Sequence, residues 1–445
     1  MHDIDEPGKN NARPRPVGLS RRRFLAASAT AAAMPVLSAR GAWAAESENV
    51  IRVGFLSPRT GGLGVFGEGD GYVLGECRKA LKDGVAIGGK TYRVDLIDRD
   101  SQSDPTRAGQ LTKSLITDDK IDFMLVTSTP EVVNPAADAC EAAGVPCLST
   151  VMPWEAWYFG RGAKPGQPSP FKWSFHFSFG GAQFIGTCVP AWNMIPTNKK
   201  VGVMFPNDAD GNAVRGGLPA AFKKAGFTVV DPGPFEDGTT DYSEQIRVFL
   251  QEQCDILMAL MLPPDFATFW RQAAQQGVAK SVKLCQVEKA GASPAEIELL
   301  GDLGFNLCTT APWNPAFPYK SPVTGQSSRE LADGYEKSSG KQVTKQLGSS
   351  LAIIDAGIEA LKAAGNPLDK SGLAKAISTL KTTTTVGPVD FNTGPIPHVV
   401  ATTPLVGTQY QKAAPGGKFK LQQVVFENSN DPNVPITGKL LPYNG

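Results

Sequence analysis

The sequence predicts an α/β protein of two doubly wound lobes joined by a multi-crossing hinge, and three observations predict it. From Asn49 short apolar runs alternate with amphipathic helical stripes, a second alternation in the same style starts at Val201, and a proline- and glycine-rich stretch, Gly160 to Pro170, separates the two. Strands covered on both faces by crossover helices read as continuous apolar runs, and repeated strand–helix alternation calls for a mostly parallel sheet.

In the first alternation, Ile51 to Leu56 is a strand and Val73, Leu74, Cys77, Ala80 and Leu81 form a helical stripe. Tyr92 to Ile97 is the next strand. Asp104-Pro105 then supplies an N-cap and a first-turn proline for a helix turning Ala108, Leu111 and Leu115 inward. Ile121 to Val126 and Cys147 to Thr150 are two further strands around a helix, and Phe171, Trp173, Phe175, Phe177 and Phe179 alternate strictly, as a strand with one aromatic face. The second alternation runs VGVMF, a helix near 212–225, FTVV, a helix near 242–253, DILMALM, a helix near 265–276, and VKLCQV. Helices near 328–337 and 349–364 follow, so the chain is expected to cross back to the first lobe. The threonine-, proline- and glycine-rich end suits a final crossing and edge strands. The expected division is 45–172 plus 312–398 for lobe 1 and 173–311 plus 399–445 for lobe 2.

The first 44 residues stand apart. Ser20-Arg21-Arg22-Arg23-Phe24-Leu25 precedes an apolar run, Ala26 to Leu37, and the small-residue sequence Ala42-Trp43-Ala44. This is the pattern of a twin-arginine export signal, with removal expected after Ala44 and a periplasmic destination. Lysines and arginines number 44 against 43 acidic residues, a formal charge of +1; residues 1–44 hold seven of the former and three of the latter, leaving −3 afterwards. A mildly acidic mature chain argues against nucleic acid, and no later segment offers the about 18 apolar residues of a membrane helix. Seven scattered cysteines are few for this length. Cys140 and Cys147 flank a helix-to-strand turn and are the best candidates for a disulfide, the alternative being two buried small apolar side chains.

Several motifs tempt. Gly84-Val85-Ala86-Ile87-Gly88-Gly89-Lys90-Thr91 spells a phosphate-binding loop, but a helix precedes it and a strand follows, the reverse of what the phosphate needs; it reads as a Gly-Gly turn. Gly62-Leu63-Gly64-Val65-Phe66-Gly67 spells a dinucleotide fingerprint and keeps an exported oxidoreductase in play, although Ser57 to Gly61 intervenes where the glycine should leave the strand directly. The preferred reading is a flexible loop carrying Arg59 and Phe66 toward a site. Three histidines, none paired at ligand spacing, make a metal site improbable, and neither G-x-S-x-G nor H-E-x-x-H occurs. His176 is expected to be a plain hydrogen-bonding residue on the polar side of its strand. Neither cofactor nor catalysis is called for.

In open α/β sheets ligands bind beyond the carboxyl ends of strands. That rule gathers Ser128, Thr129 and Glu131 on one loop, and Thr150, Trp154 and Trp157 on the next. Asn207, Asp208 and Asp210 follow a second-lobe strand in the equivalent place, and Glu288 ends another. The alternative is that the hydroxyls only cap a helix and the tryptophans only seal an edge.

V-G-F-L-S-P-x-T-G-x-L-G-x-F-G at Val53 to Gly67, D-x-x-S-D-P-x-x-A at Asp98 to Ala108 and A-x-A-C-E-A-A-G-V-P at Ala137 to Pro146, with the export signal, resemble one family. It is the solute-binding proteins of the leucine/isoleucine/valine type, which serve ATP-driven importers. The resemblance implies the type I periplasmic binding protein fold, two Rossmann-like lobes that close on a ligand. It also implies ligand roles for Phe66, Ser128, Thr129 and Asp210. Where amino-acid binders of this type carry a small Ala-Thr pair, this chain has Met152-Pro153-Trp154, so the solute is expected to differ from a simple α-amino acid. Trp154, Trp157, Phe66, Trp173 and Trp313 would build an aromatic box for a ring or an alkylated cation, and Arg59 would pair a carboxylate. The expectation is a monomeric, non-enzymatic periplasmic protein that delivers a small aromatic, amine- or carboxylate-bearing solute to an inner-membrane permease. A ligand sensor for a membrane receptor is the other alternative.

Overall fold

The structure is a computed structural model and describes residues 49–443; the export signal and its cleavage point lie outside the described residues. The first alternation gives β1 (Val50–Ser57), α1 (Asp70–Ala80), β2 (Val85–Ile87), β3 (Lys90–Asp100), α2 (Pro105–Thr117), β4 (Phe123–Ser128), α3 (Pro130–Ala143), β5 (Cys147–Val151), α4 (Trp154–Tyr158) and β6 (Ser174–Ser178). The second gives α5 (Gly181–Asn193), β7 (Lys200–Met204), α6 (Ala209–Lys224), β8 (Thr228–Val230), α7 (Ser243–Glu252), β9 (Ile256–Ala259), α8 (Pro263–Gln275), α9 (Val278–Ser281), β10 (Leu284–Val287), α10 (Pro294–Glu298) and β11 (Leu307–Ala311). The return adds α11 (Ser328–Ser339), α12 (Leu347–Ala364), α13 (Lys370–Ser378), β12 (Lys381–Thr384), β13 (Gly387–Asp390), β14 (Val400–Thr402), β15 (Val406–Lys412) and β16 (Leu421–Glu427).

Two seven-stranded sheets result, in the orders β14-β6-β5-β4-β1-β3-β2 and β16-β15-β11-β10-β9-β7-β8. In each, the strand that comes first in the chain lies inside the sheet with later strands on both sides of it, which is the doubly wound arrangement. β1 pairs in parallel with β3 and β4, and β7 in parallel with β8 and β9. Antiparallel pairing in these two sheets is confined to one end of each: β2 against β3 in the first, and β15 against both β11 and the edge strand β16 in the second. Among the described residues no helix is long and apolar enough to cross a membrane.

Local chemistry accounts for the elements. The Asp104 carboxylate accepts from the Arg107 amide and Pro105 fills the first helical position of α2, satisfying a backbone donor that the helix itself cannot. The phosphate-loop spelling is a β2–β3 hairpin: Gly88 and Gly89 have φ of 55° and 80°, the left-handed pair a two-residue turn demands. α12 is buried almost all round, and its Leu351, Ile354 and Ile358 join the first-lobe core with Phe123 and Leu125.

One boundary moves. The aromatic strand, expected to open lobe 2 at residue 173, is β6 of the first sheet, paired to β5 with Leu148 opposite Phe175. Its entry is pinned by Glu141 of α3, whose carboxylate accepts from the amides of Lys172, Trp173 and Ser174 at 2.7, 3.0 and 2.9 Å. β14 then pairs in parallel with β6, so the first lobe keeps Val400–Thr402 too, and the crossings fall after Ser178 and after Thr402. Both sides of the strand are buried, the polar one of Ser174, His176 and Ser178 included. The bridge considered between Cys140 and Cys147 is absent. All seven cysteines are buried free thiols. Burial, reinforced by the neighbouring Cys147 thiol, pushes the Cys140 pKa well above its ordinary value.

Candidate functional site

The carboxyl ends of β4, β5 and β6 in one lobe and of β10 and β11 in the other converge on a cavity of about 470 Å³. Its wall is largely apolar, with Phe66, Met152, Phe179, Phe184, Leu218 and Leu260 contributing the bulk. Five charged side chains interrupt it: Glu155, Asp210, Glu288, Lys289 and Lys345.

On the first-lobe side the backbone is strained where it meets the cavity. Ser128 and Val151, the last residues of β4 and β5, have φ of 147° and 89°, a region that side chains, and a β-branched one above all, avoid. Both line the cavity. Thr129 is the N-cap residue of α3, yet its side chain caps nothing. The hydroxyls of Ser128 and Thr129 are buried and unpartnered, so they do not serve as helix caps. They sit where a helix N-terminus favours an anionic or acceptor group.

The second-lobe side has most of its polar groups met, Asp210 Oδ1 excepted. Asp208, N-cap of α6, accepts from the Gly211 amide at 2.6 Å and pairs through its other oxygen with Lys289, which also reaches Asp210 at 3.3 Å. Burial outweighs that cation and pushes the Asp210 carboxyl up to about 7, while the two aspartates together hold the Lys289 ammonium well above its ordinary value despite its burial. Lys345 lies on the segment entering α12. Its ammonium donates to the Glu288 carbonyl (3.1 Å), Thr309 Oγ1 (2.6 Å) and the Thr310 carbonyl (2.8 Å). Burial pulls its pKa down to about 8. Glu288 in turn accepts from Thr310 Oγ1 at 2.5 Å and Gln286 Nε2 at 2.7 Å.

The cavity thus brings together Phe66, Ser128, Thr129, Asp210 and Glu288 of the residues expected from sequence. It does not gather the others. Arg59 is taken by Asp98 at 2.6 Å, an acid shared with Arg78. Thr150 donates to the Phe177 carbonyl inside the sheet at 2.6 Å. Asn207 bonds Glu236, and Asp208 acts one step removed, through Lys289. Glu131 opens α3 outside the lining and acts on Asp210 and Lys289 only through its field.

The aromatic box is not built. Trp157 is fully buried, stacked between His176 (5.3 Å) and the Arg161 guanidinium (4.7 Å). His176 bonds Ser149 Oγ at 2.9 Å and the Met152 carbonyl at 3.0 Å, and burial pulls its pKa down to about 3. The Trp154 indole lies against Gly180, where any Cβ would sit 2.1 Å from Nε1; it backs the wall that Gly180 lines, and only a glycine permits so close an approach. Trp313 donates to Ser328 Oγ in the first-lobe core and Trp173 packs at that core's edge.

Missed from sequence were Glu155, Phe179, Lys289 as an ion-pair centre, and Lys345. Glu155 stands beside the tryptophan that drew attention, and a single lysine ahead of the apolar run of α12 is the only mark Lys345 leaves. The dinucleotide spelling also resolves. The Gly62–Gly67 segment ends in a short 3-10 turn before α1, and the buried Asp70 carboxylate occupies the first turn of α1, where a pyrophosphate would meet repulsion. Among the described residues no group of three or more His, Cys, Asp or Glu side chains is placed to hold a metal ion.

Solved structures share this architecture at low identity. A solute-binding protein of an ABC transporter from Rhodopseudomonas palustris, in complex with 3,4-dihydroxybenzoic acid, is 21% identical, with 86% of this chain and 99% of that one covered and a TM-score of 0.68. A leucine-binding protein from Thermotoga maritima is 19% identical over 86% and 99%, with a TM-score of 0.69. The branched-chain amino acid transporter substrate-binding protein of Streptococcus pneumoniae, in complex with isoleucine, is 17% identical over 85% and 99%, at 0.64. A family model described as periplasmic binding protein matches residues 50–413, from β1 through β15. Two doubly wound lobes, a cavity at their facing strand ends and that match together place the chain in the periplasmic binding protein family.

Proposed function

We propose that this protein captures a small organic solute between its lobes in the periplasm, after twin-arginine export, and delivers it as a monomer to an ABC importer in the inner membrane without acting on it chemically. The observation that carries this reading is the cavity itself. It is walled by both lobes, lined by the unpartnered hydroxyl residues Ser128 and Thr129 with strained backbone at Ser128 and Val151, and framed by apolar side chains. Such a site binds rather than reacts: among the described residues its lysines are paired into the wall, each carboxylate is engaged through at least one oxygen, and no nucleophile stands beside a base. The solved relatives hold dihydroxybenzoate in one case and isoleucine in another, which supports a solute of that size for this chain. Ser128, Thr129, Phe66, Asp210 and Glu288 are its proposed contacts.

Closure must be driven by contacts made only in the closed state. Small-angle scattering with a panel of small acids, amines and amino acids is expected to show compaction for a binder, and a thermal-shift assay a stabilisation of about 2.7 kcal/mol at 100 times its dissociation constant. A tight ligand that leaves both the radius and the melting temperature unchanged would refute capture between the lobes.

A further inference from the structure

The polar atoms the cavity leaves unpartnered differ from those expected of a site for a simple acid. Asp210 Oδ1 and Glu155 Oε2 are buried carboxylate oxygens without a hydrogen-bond partner, one from each lobe. No guanidinium lines the cavity. Of the two lysines, Lys345 spends its three donors on the wall, and Lys289 is shared between two aspartates. Counting Asp208 with the lining, four carboxylates face two ammonium groups, a formal excess of two negative charges in an apolar enclosure.

Glu155 is the carboxylate with no basic partner among the described residues. Its Oε1 accepts from the Gly181 amide at 2.8 Å, the first residue of α5, so this chain's own carboxylate occupies the helix N-terminus that an incoming anion would otherwise use. The second oxygen has no partner, on a side chain that lines the cavity. Burial raises the Glu155 carboxyl above its ordinary pKa, a penalty that an approaching cation would offset.

We propose that Glu155 is a specificity residue whose Oε2 receives a protonated amine of the solute, so that the solute is an apolar or aromatic body carrying an ammonium group rather than a plain organic acid. This rests on the capture reading above. The body packs against Phe66, Met152, Phe179, Phe184, Leu218 and Leu260, and the hydroxyls of Ser128 and Thr129 remain for a further polar group.

The test is calorimetry with phenethylamine and phenylacetate, which share a ring and differ in the charge of the head, on the parent and on Glu155→Gln. The amide keeps the carbonyl that accepts from Gly181, so the start of α5 stays held. The parent is expected to bind phenethylamine at least tenfold tighter than phenylacetate, and Glu155→Gln to lower that ratio at least tenfold. A variant that merely loosens the fold would weaken both probes and leave the ratio unchanged, which overturns the assignment. So does tighter binding of phenylacetate by the parent; if that acid binds with compaction, the amine inference fails and capture stands. If neither probe binds and native mass spectrometry of periplasm-purified protein shows no solute, both fail.

Discussion

The two walls of the cavity are built on opposite plans. The first-lobe wall keeps free hydroxyls at Ser128 and Thr129 beside backbone held in costly conformations at Ser128 and Val151, whereas most charges of the second-lobe wall are met, by Lys289 of its own lobe and by Lys345 from the segment entering α12. Strain concentrated at one wall marks the part that is preorganised to meet something, and the ion-paired framework of the other marks the part that must keep its shape while closing. One lobe presents, and the other covers.

Removing Lys345 should separate these roles most sharply. Lys345→Met strands the Glu288 carboxylate and three acceptors in a buried wall, and loss of one partner of such a network costs about 3–5 kcal/mol. Chemical denaturation is expected to show that loss. A variant as stable as the parent would mean the second wall is not held by its charges.

The lobes should also answer pH in opposite directions. His176, under the first rim, has a folded pKa of about 3 against 6.5; depressed in the fold, it contributes stability above 6.5 that is lost as pH falls toward 3. Asp210, in the second, is raised from 3.8 to about 7; its contribution is full below 3.8 and lost as pH rises toward 7. His176→Gln should therefore flatten acid destabilisation by a few kcal/mol on the order set by 1.36 kcal/mol per unit, and Asp210→Asn should flatten the opposing slope. Melting curves between pH 3 and 7 read both, and parallel slopes in parent and variants would break the contrast.

Trp154→Ala tests whether the indole supports the wall or belongs to it. It should cost about 2 kcal/mol, less than a fully buried tryptophan, and change affinity for any bound solute less than twofold. A tenfold loss of affinity at unchanged stability would return Trp154 to the site. For Ser128→Gly the reverse is expected: relief of strain offsets the roughly 1 kcal/mol entropy of a glycine, so stability stays level while affinity falls about tenfold, or 1.4 kcal/mol. The smallest effect belongs to Arg59→Ala, under about 1 kcal/mol because its ion pair with Asp98 is partly exposed, with no change in binding.

What could be read from sequence was whatever is local. β4 and β5 announce themselves by apolar runs, α2 by its Asp-Pro cap, and the β2–β3 turn by two adjacent glycines. The doubly wound plan follows from such signals repeated. Illegible were relations set by distant partners. Alternation shows that β6 is a strand, but its sheet is decided by Glu141, about thirty residues upstream. A position beyond β5 puts Trp154 on the rim, but the indole turns toward Gly180, twenty-six residues on. Lys345 reaches Thr309 across thirty-six residues, and nothing local to either foretells it.

The seven buried thiols give the chain a set of internal clocks. Cys77, Cys140 and Cys147 lie in the cores of the first lobe, and Cys188, Cys254, Cys285 and Cys308 in those of the second. Burial raises the pKa of Cys77, Cys188 and Cys285 well above 9.0, so a thiol reagent meets a protonated, shielded sulfur until the surrounding structure opens. The rate at which each cysteine is modified then times the opening of its own neighbourhood, lobe by lobe, with no engineered label. A solute that ties the lobes together should slow the clocks on both sides of the cavity at once.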